Sequence, residues 1–340
     1  MIKAIKTYYL LLLVFGSFYC TSSYAQTNSF TQFFTNLPVE NAAFTGVEEA
    51  LYSTLGFRQQ WNNFGGDNRV IFVSVFGELG GDAPDSFKKN SLRVSDPSLY
   101  DELSTNKKIR RKHGLGGSIS LEEIGPFRSI NITLNHAYHI PISKRLNFSF
   151  GTSVALNNQE IDFSDFEVRD EVNDQFFQEL MNANSGRQNS IDINFGASIH
   201  SKSFYLGVST DRLVTEQISG DELLENDVFR RFSMILGNNF RLNQNFELFP
   251  NARFGYSELS DVDWNVGMRL RYKETFYIGA SYEYDIKTSF LIGFSGKGRF
   301  SINYAYDQFT SDLRNFNTGN HEVLASFILF NKYSRSTRFW

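Results

Sequence analysis

The chain has 340 residues, a formal net charge of −4, 35 Phe, 16 Tyr, 25 Gly, 6 Pro and a single Cys. A near-neutral balance implies no general attraction to nucleic acid, and one cysteine supports neither a disulfide framework nor a cysteine-based metal site. No run of 18 apolar residues follows residue 25, so no transmembrane helix is expected.

The N-terminus has the three-part form of a secretory signal peptide. Lys3 and Lys6 precede the apolar run YYLLLLVFGSFYC, and Ser23 and Ala25 occupy the small-residue positions of a cleavage site. Cleavage is expected between Ala25 and Gln26, which removes the only cysteine, Cys20. Tyr19 beside Cys20 is too bulky for a lipid-modified cysteine. About 315 residues remain, enough for one large β domain or two smaller ones.

Residues 30–46, FTQFFTNLPVENAAFTG, show neither a 3.6-residue nor a 2-residue period. A disordered leader is poor in aromatics, whereas this stretch holds Phe30, Phe33, Phe34 and Phe44. An ordered arm is therefore expected, with rings to pack and amides to bond to a polar wall.

Strands are predicted near 50–60 and 69–79. Segment 80–113 then carries eight bases, including the cluster KKIRRK, against five acids. It reads either as a solvated loop or as a dock for an acidic partner or anionic headgroups. Further strands are predicted near 114–122, 127–139 and 144–157. In the second of these, Ile130, Ile132 and Leu134 oppose Asn131, Thr133 and Asn135.

Segment 158–188 is acidic, with eight carboxylates against Arg169 and Arg187. Ser164 and Glu167 have the spacing of a capping box, and Phe166, Val172, Phe176, Phe177, Leu180 and Met181 share one helical face. Such a helix would plug a barrel mouth or present a groove to a partner.

The remaining strands are predicted near 189–200, 202–211, 228–241, 245–257, 261–273, 275–285, 287–296, 298–307 and 321–331. Ile191, Ile193, Phe195, Ala197 and Ile199 fall on one face, opposite Ser190, Asp192, Asn194, Gly196 and Ser198. Val262, Trp264, Val266, Met268, Leu270 and Tyr272 likewise oppose Asp263, Asn265, Gly267, Arg269 and Arg271.

Alternation alone also suits a soluble sandwich. Three features favour an all-β transmembrane antiparallel barrel of about 14 strands with an N-terminal periplasmic arm. Many strands reach the ten residues needed to cross a bilayer at a tilt. Aromatics such as Tyr272, Phe276, Tyr282, Tyr284, Phe300, Tyr304 and Tyr306 gather near strand ends, as in an interfacial girdle. Short connections alternate with longer ones, the pattern of periplasmic turns and external loops.

No catalytic constellation is legible. The histidines His113, His136, His139, His200 and His321 belong to no metal or nucleophile motif, and no phosphate loop or calcium hand occurs. The chain is expected to be no enzyme and to carry no cofactor and no metal.

The motifs in order resemble those of the PorP/SprF family, outer-membrane proteins of the type IX secretion system of Bacteroidota. In the arm, Phe30, Thr31, Gln32, Phe33, Asn36, Asn41, Ala43 and Gly46 match the family pattern, while Leu37 and Ala42 replace its prolines and Pro38 is shifted by one. Arg58, Gln60 and Trp61 match its R-x-Q-W. EIGPFRSINITLNHAYHIPIS matches a third block, with Glu123 replacing an Asp and one residue fewer before Ile124.

The resemblance implies an outer-membrane barrel that supports export or surface anchoring of a secreted adhesin. Its implied partners are the adhesin's C-terminal sorting domain, periplasmic type IX secretion components and outer-membrane lipid, with no nucleic acid. A small-solute porin is the alternative reading. The expected division is a signal peptide 1–25, an arm 26–49 in or near the barrel mouth, a barrel 50–331 and a periplasmic tail 332–340. Candidate partner-binding residues are Phe30, Gln32, Phe33, Asn36 and Asn41 in the arm, Arg58, Gln60 and Trp61 on strand one, and Phe176 and Phe177 in the acidic segment. With the arm in the periplasmic half, Arg58, Gln60 and Trp61 should lie at the opposite end of their strand and not touch it.

Overall fold

The computed structural model describes residues 30–48, 50–60, 68–79, 111–143, 145–162, 186–219, 229–258, 262–296, 299–310 and 319–329. The signal peptide, its cleavage site, Trp61, the acidic segment with Phe176 and Phe177, most of the basic segment and the C-terminal tail lie outside the described residues.

Fifteen strands follow the arm: β1 (Leu51–Gln59), β2 (Arg69–Leu79), β3 (Lys112–Ile124), β4 (Phe127–Pro141), β5 (Asn147–Ile161), β6 (Arg187–His200), β7 (Phe204–Ser219) and β8 (Arg231–Asn238) come first. The rest are β9 (Phe240–Arg241), β10 (Phe246–Ser257), β11 (Asp263–Tyr272), β12 (Phe276–Glu283), β13 (Lys287–Gly296), β14 (Phe300–Phe309) and β15 (Asn320–Leu329). All pairings are antiparallel, and β15 returns to pair with β1 in the register Leu51↔Leu329 to Gln59↔His321. The sheet is thus closed and has no edge to leave unpaired in hydrocarbon.

β8 and β9 are two pieces of one stave. They pair with β10 in a single continuing register, Asn251↔Gly237 and then Leu248↔Phe240. Between these pairs lies Pro250, which has no N–H to give the ladder, and the pairing lapses beside it at Asn239. Among the described residues the barrel therefore has 14 staves, as the sequence pattern predicts.

The barrel is polar inside and apolar outside. On β4, Leu134 is 66% exposed while Asn135 is 3% exposed. On β6, Ile193 and Phe195 are exposed while Asp192, Ser198 and His200 are buried. On β11, Val266 and Met268 face out while Asn265, Arg269 and Arg271 face in. Period-2 alternation places each set on one face.

We call the end where β1 begins and β15 finishes the near end, and the other the far end. Aromatic clusters mark both on the outer surface. His113, His136 and Tyr138, and then Phe276, Phe294 and Phe300, stand at the near end. Trp264 with Tyr282 and Tyr284, and His321 with Tyr304 and Tyr306, stand at the far end. These are the two interfacial girdles of an outer-membrane barrel.

The staves differ in length. β3 to β7 have 13, 15, 15, 14 and 16 residues. β11 to β15 have 8 to 10, and β1 has 9. One wall is tall and the other short, and the arm lies between them.

Candidate functional site

The lumen is filled by the chain's own N-terminal segment. The arm folds as a 3-10 turn (Phe33–Thr35), a helical turn (Leu37–Glu40) and a second 3-10 turn (Ala42–Phe44). Pro38 near the start of the helical turn suits its φ requirement. Asn41 caps the last turn, its Oδ1 accepting from the Ala43 N–H at 2.9 Å. Residues 31–37 and 41–47 are almost all fully buried.

This burial builds the hydrophobic core of the molecule. Phe33, Phe34, Leu37, Phe44 and Val47 pack with Tyr52, Tyr205, Ile235, Leu291 and Ala305 from the barrel. Each ring so buried contributes about 1.5–3 kcal/mol. Phe44 meets Tyr205 edge-on at 5.7 Å, and Phe30, at the arm's start, meets Phe72 edge-on at 4.6 Å.

The short wall holds the arm through charge. Arg58 and Glu322 are direct cross-strand partners on β1 and β15. The Arg58 guanidinium donates to Asp307 at 3.2 Å and lies 3.9 Å from Glu322. Lys287 donates to Asp307 at 2.8 Å and reaches Glu283 at 3.6 Å. Glu283 in turn pairs with Arg253 at 3.5 Å, and Arg253 with Glu40 of the arm at 3.8 Å.

A continuous chain of seven charges therefore runs Glu40–Arg253–Glu283–Lys287–Asp307–Arg58–Glu322. It grips the arm at both ends. At the start, the Thr31 and Gln32 N–H groups donate to the two Glu322 oxygens at 2.9 and 3.1 Å. The Thr31 hydroxyl donates to Asp307 and accepts from Lys287 at 2.8 Å. The chain has one more carboxylate than cation, and those two backbone donors complete the surroundings of Glu322. Cations also lie over the arm's rings: Arg269 is 3.7 Å from the Phe34 centroid and Arg253 5.5 Å from that of Phe33.

The tall wall holds the arm through close approach and neutral hydrogen bonds. Gly46 has φ +75°, and a Cβ there would sit 2.6 Å from the Cα of Gly114 on β3. A Cβ at Gly151 would sit 2.5 Å from the Ala42 carbonyl carbon. Only glycine lets the two backbones touch. Asn36 donates to Ser74 at 2.7 Å, the Asn135 amide to the Pro38 carbonyl at 2.7 Å, and the Asn41 amide to the Val208 carbonyl at 2.9 Å. His139 Nε2 lies 2.7 Å from the Thr45 carbonyl, an acceptor only, so Nε2 carries the proton and Nδ1 accepts from Ser149. At the near rim, Lys112 donates to the Gly46 carbonyl at 2.6 Å and the Val47 carbonyl at 3.0 Å.

These contacts correct the expectation that Arg58 stays clear of the arm. From the near rim at Val47 the arm runs first against the tall wall, and by Thr31 it has reached the short wall at the level of Arg58, Asp307 and Glu322. Because β1 is only nine residues long, its far-end arginine falls within reach. Gln60 is buried but its backbone N–H bonds to Asn68 at 3.0 Å rather than to the arm. Phe30, Gln32, Phe33, Asn36, Asn41 and Arg58 are brought together. Sequence reasoning missed Lys287, Asp307, Glu322, Glu283, Arg253 and Arg269; each is a charge on an otherwise Ser- and Asn-rich lumen face, which is the signal that marks it.

Above the arm, against the far half of the tall wall, lies a cavity of ≈ 610 Å³. Its floor is the arm from Phe30 to Ala42, and its sides include Ser118, Ser120, Asn131, Thr133, Ser153, Asn157, Asp192, Asp211 and Arg212. Asn131, Asn157 and Asp192 form a wall network with Thr215, which donates to Asp192 at 2.7 Å.

The family model described as "Type IX secretion system membrane protein PorP/SprF" matches residues 22–327. Among curated proteins no sequence match is found. Similar solved structures include the CymD monoaromatic hydrocarbon channel, at 10% identity and TM-score 0.48 over 89% of this chain and 93% of that one. Omp33 of Acinetobacter baumannii has 10% identity and TM-score 0.44 over 83% of this chain and all of that one. The Pseudomonas putida toluene transporter TodX has 12% identity and TM-score 0.43 over 90% and 94%.

Proposed function

The chain belongs to the PorP/SprF family of type IX secretion system membrane proteins, and from this we propose that it is a plugged outer-membrane dock for a secreted adhesin. Its far end faces outward and receives the adhesin's C-terminal sorting domain. Its near end, with the basic residues that lead into β3, faces periplasmic components of the secretion machine. The barrel catalyses no reaction; it supports export or surface anchoring, including of adhesins used in gliding motility. The signal peptide is cut between Ala25 and Gln26.

The observation that carries this reading is the filled lumen. A diffusion porin keeps an aqueous channel, whereas here buried rings and a seven-charge chain occupy the bore. Single-channel recording on the purified mature barrel in planar bilayers tests it. No steady conductance is expected from wild type. A stable, large, ohmic conductance would favour the porin reading instead. In cells, loss of the barrel should remove one adhesin from the surface while other outer-membrane proteins remain.

A further inference from the structure

The far-end cavity has a feature that the packing of the arm does not use. Asp211, on the inward face of β7, lines it and makes no hydrogen bond or ion pair among the described residues. The cation directly across the ladder is Arg231, yet its guanidinium turns to Asp263 at 2.9 Å. Arg212, next in sequence, is drawn 3.4 Å from Asp192, and its φ of 57° and a register shift in β6–β7 turn it aside. Both arginines of the cavity thus make their ion-pair contacts with other carboxylates, and Asp211 feels them only at longer range.

The rest of the lining adds to the same polarity. Glu40 and Glu122 also border the cavity, and the hydroxyls of Ser118, Ser120, Ser153 and Ser209 can accept hydrogen bonds there. On the floor, Gln32 and Asn36 are 2% and 5% exposed, and Gln32 Nε2 and Asn36 Oδ1 have no hydrogen-bond partner. Unpaired buried amide groups cost free energy unless something completes them. Val39 presents a half-exposed apolar side chain beside them. A cavity of ≈ 610 Å³ is within the range of ligand sites, with convergent polar groups and a carboxylate that has no directly paired cation among the described residues.

We propose that this vestibule is a binding site for an extended polypeptide segment bearing a lysine or arginine, whose cationic head is received by Asp211. The serine hydroxyls accept the head's remaining N–H groups, and the arm's unpaired amides bond the segment's backbone. The inference deepens the docking reading above and rests on it only for the identity of the polypeptide. The site's own chemistry is testable on the isolated barrel.

The test uses the full mature barrel in detergent and a fluorescently labelled, end-capped peptide, Ser-Gly-Lys-Gly-Ser, beside counterparts with Gln or Glu at the centre. Anisotropy should show saturable binding of the Lys peptide. The Gln peptide should bind about tenfold more weakly, the order of one charge-assisted hydrogen bond, and the Glu peptide not measurably. Asp211→Asn should bring the Lys peptide to the Gln level. Val39→Trp, which fills the floor, should weaken every peptide that binds, whatever its charge. Equal binding of all three peptides, or a preference for Lys that survives Asp211→Asn in an intact barrel, overturns the proposal. If Asp211→Asn fails to fold, the wild-type order together with Val39→Trp decides: Lys-peptide binding weakened by Val39→Trp supports the site, and Lys-peptide binding untouched by it overturns the location. Should the peptide result hold while adhesin display is unaffected by Asp211→Asn, the site stands and the docking reading fails.

Discussion

The two walls of the lumen hold the same arm by different physics. The short wall grips it with a chain of buried charges from Glu40 to Glu322. The tall wall receives it with glycine, serine, asparagine and histidine, which let backbone lie on backbone. A buried ion chain is costly to build and costlier to break, because removing one member strands another. A small-residue lane has no such dependence; it fixes shape, and its errors are steric and local. The arm is therefore latched at the short wall and only fitted at the tall one.

The largest effect should come from the latch. Glu322→Ala removes the acceptor for two arm N–H groups and the partner of Arg58. Breaking such a pair costs about 3–5 kcal/mol. The arm should become cleavable by protease added to the near side, while the barrel keeps its shift in mobility on heating in mild detergent. Arg58→Ala with Glu322→Ala should cost less than the two single changes summed, since Asp307 retains Lys287. Additivity would show that the chain of charges does not act as a unit.

A second test separates lumen from lipid. Ile193 points outward from β6 and Asn194 bonds inward to Ser153 at 3.0 Å. Ile193→Arg should lower barrel stability by about 2–4 kcal/mol if it lies near the bilayer midplane, and Asn194→Arg by much less. Urea unfolding from lipid vesicles measures both, and equal losses would show that the wall's two faces are misassigned.

The tall wall should answer more mildly. Gly151→Val places a Cβ where the Ala42 carbonyl carbon would be 2.5 Å away. Overpacking of this kind costs about 1–3 kcal/mol. It should lift the near part of the arm, exposing Ala42 to Val47 to protease, while the Thr31 end stays seated on Glu322. Full release of the arm from Gly151→Val would make the glycine lane, not the charges, the latch.

The barrel was legible because its signal is local. Eleven residues, 189–199, suffice to show that isoleucines and a phenylalanine share one face and polar groups the other, and strand geometry converts that directly into outside and inside. The arm's need for burial was legible too, since Phe30, Phe33, Phe34 and Phe44 have no place in a solvated leader. Its seat was not. Thr31 meets Asp307 276 residues later in the chain and Glu322 291 residues later, and only closure of β15 on β1 brings these together. The height to which the arm climbs depends on that closure and on the unequal stave lengths, so Arg58 read as distant from it. The glycines of β3 and β5 looked like ordinary members of a polar face, because spacing does not reveal that another backbone lies against them.

The smallest effect should come from a contact that belongs to the charged wall but carries no ion pair with the arm. Arg269 lies 3.7 Å from the centroid of Phe34, close enough for the cation to feel the ring's negative face. Phe34→Leu keeps an apolar side chain in the same buried place and leaves Thr31, Gln32 and Glu40 in contact with their partners. What it removes is the ring face, worth about 0.5–2 kcal/mol, together with a little packing. Arm cleavage should then speed up only slightly, far less than in Glu322→Ala. Phe34→Tyr, which preserves the ring but adds a hydroxyl to a fully buried site, separates the two contributions. If Phe34→Leu releases the arm as completely as Glu322→Ala, the short wall holds by rings rather than by charges, and the contrast drawn between the two walls fails.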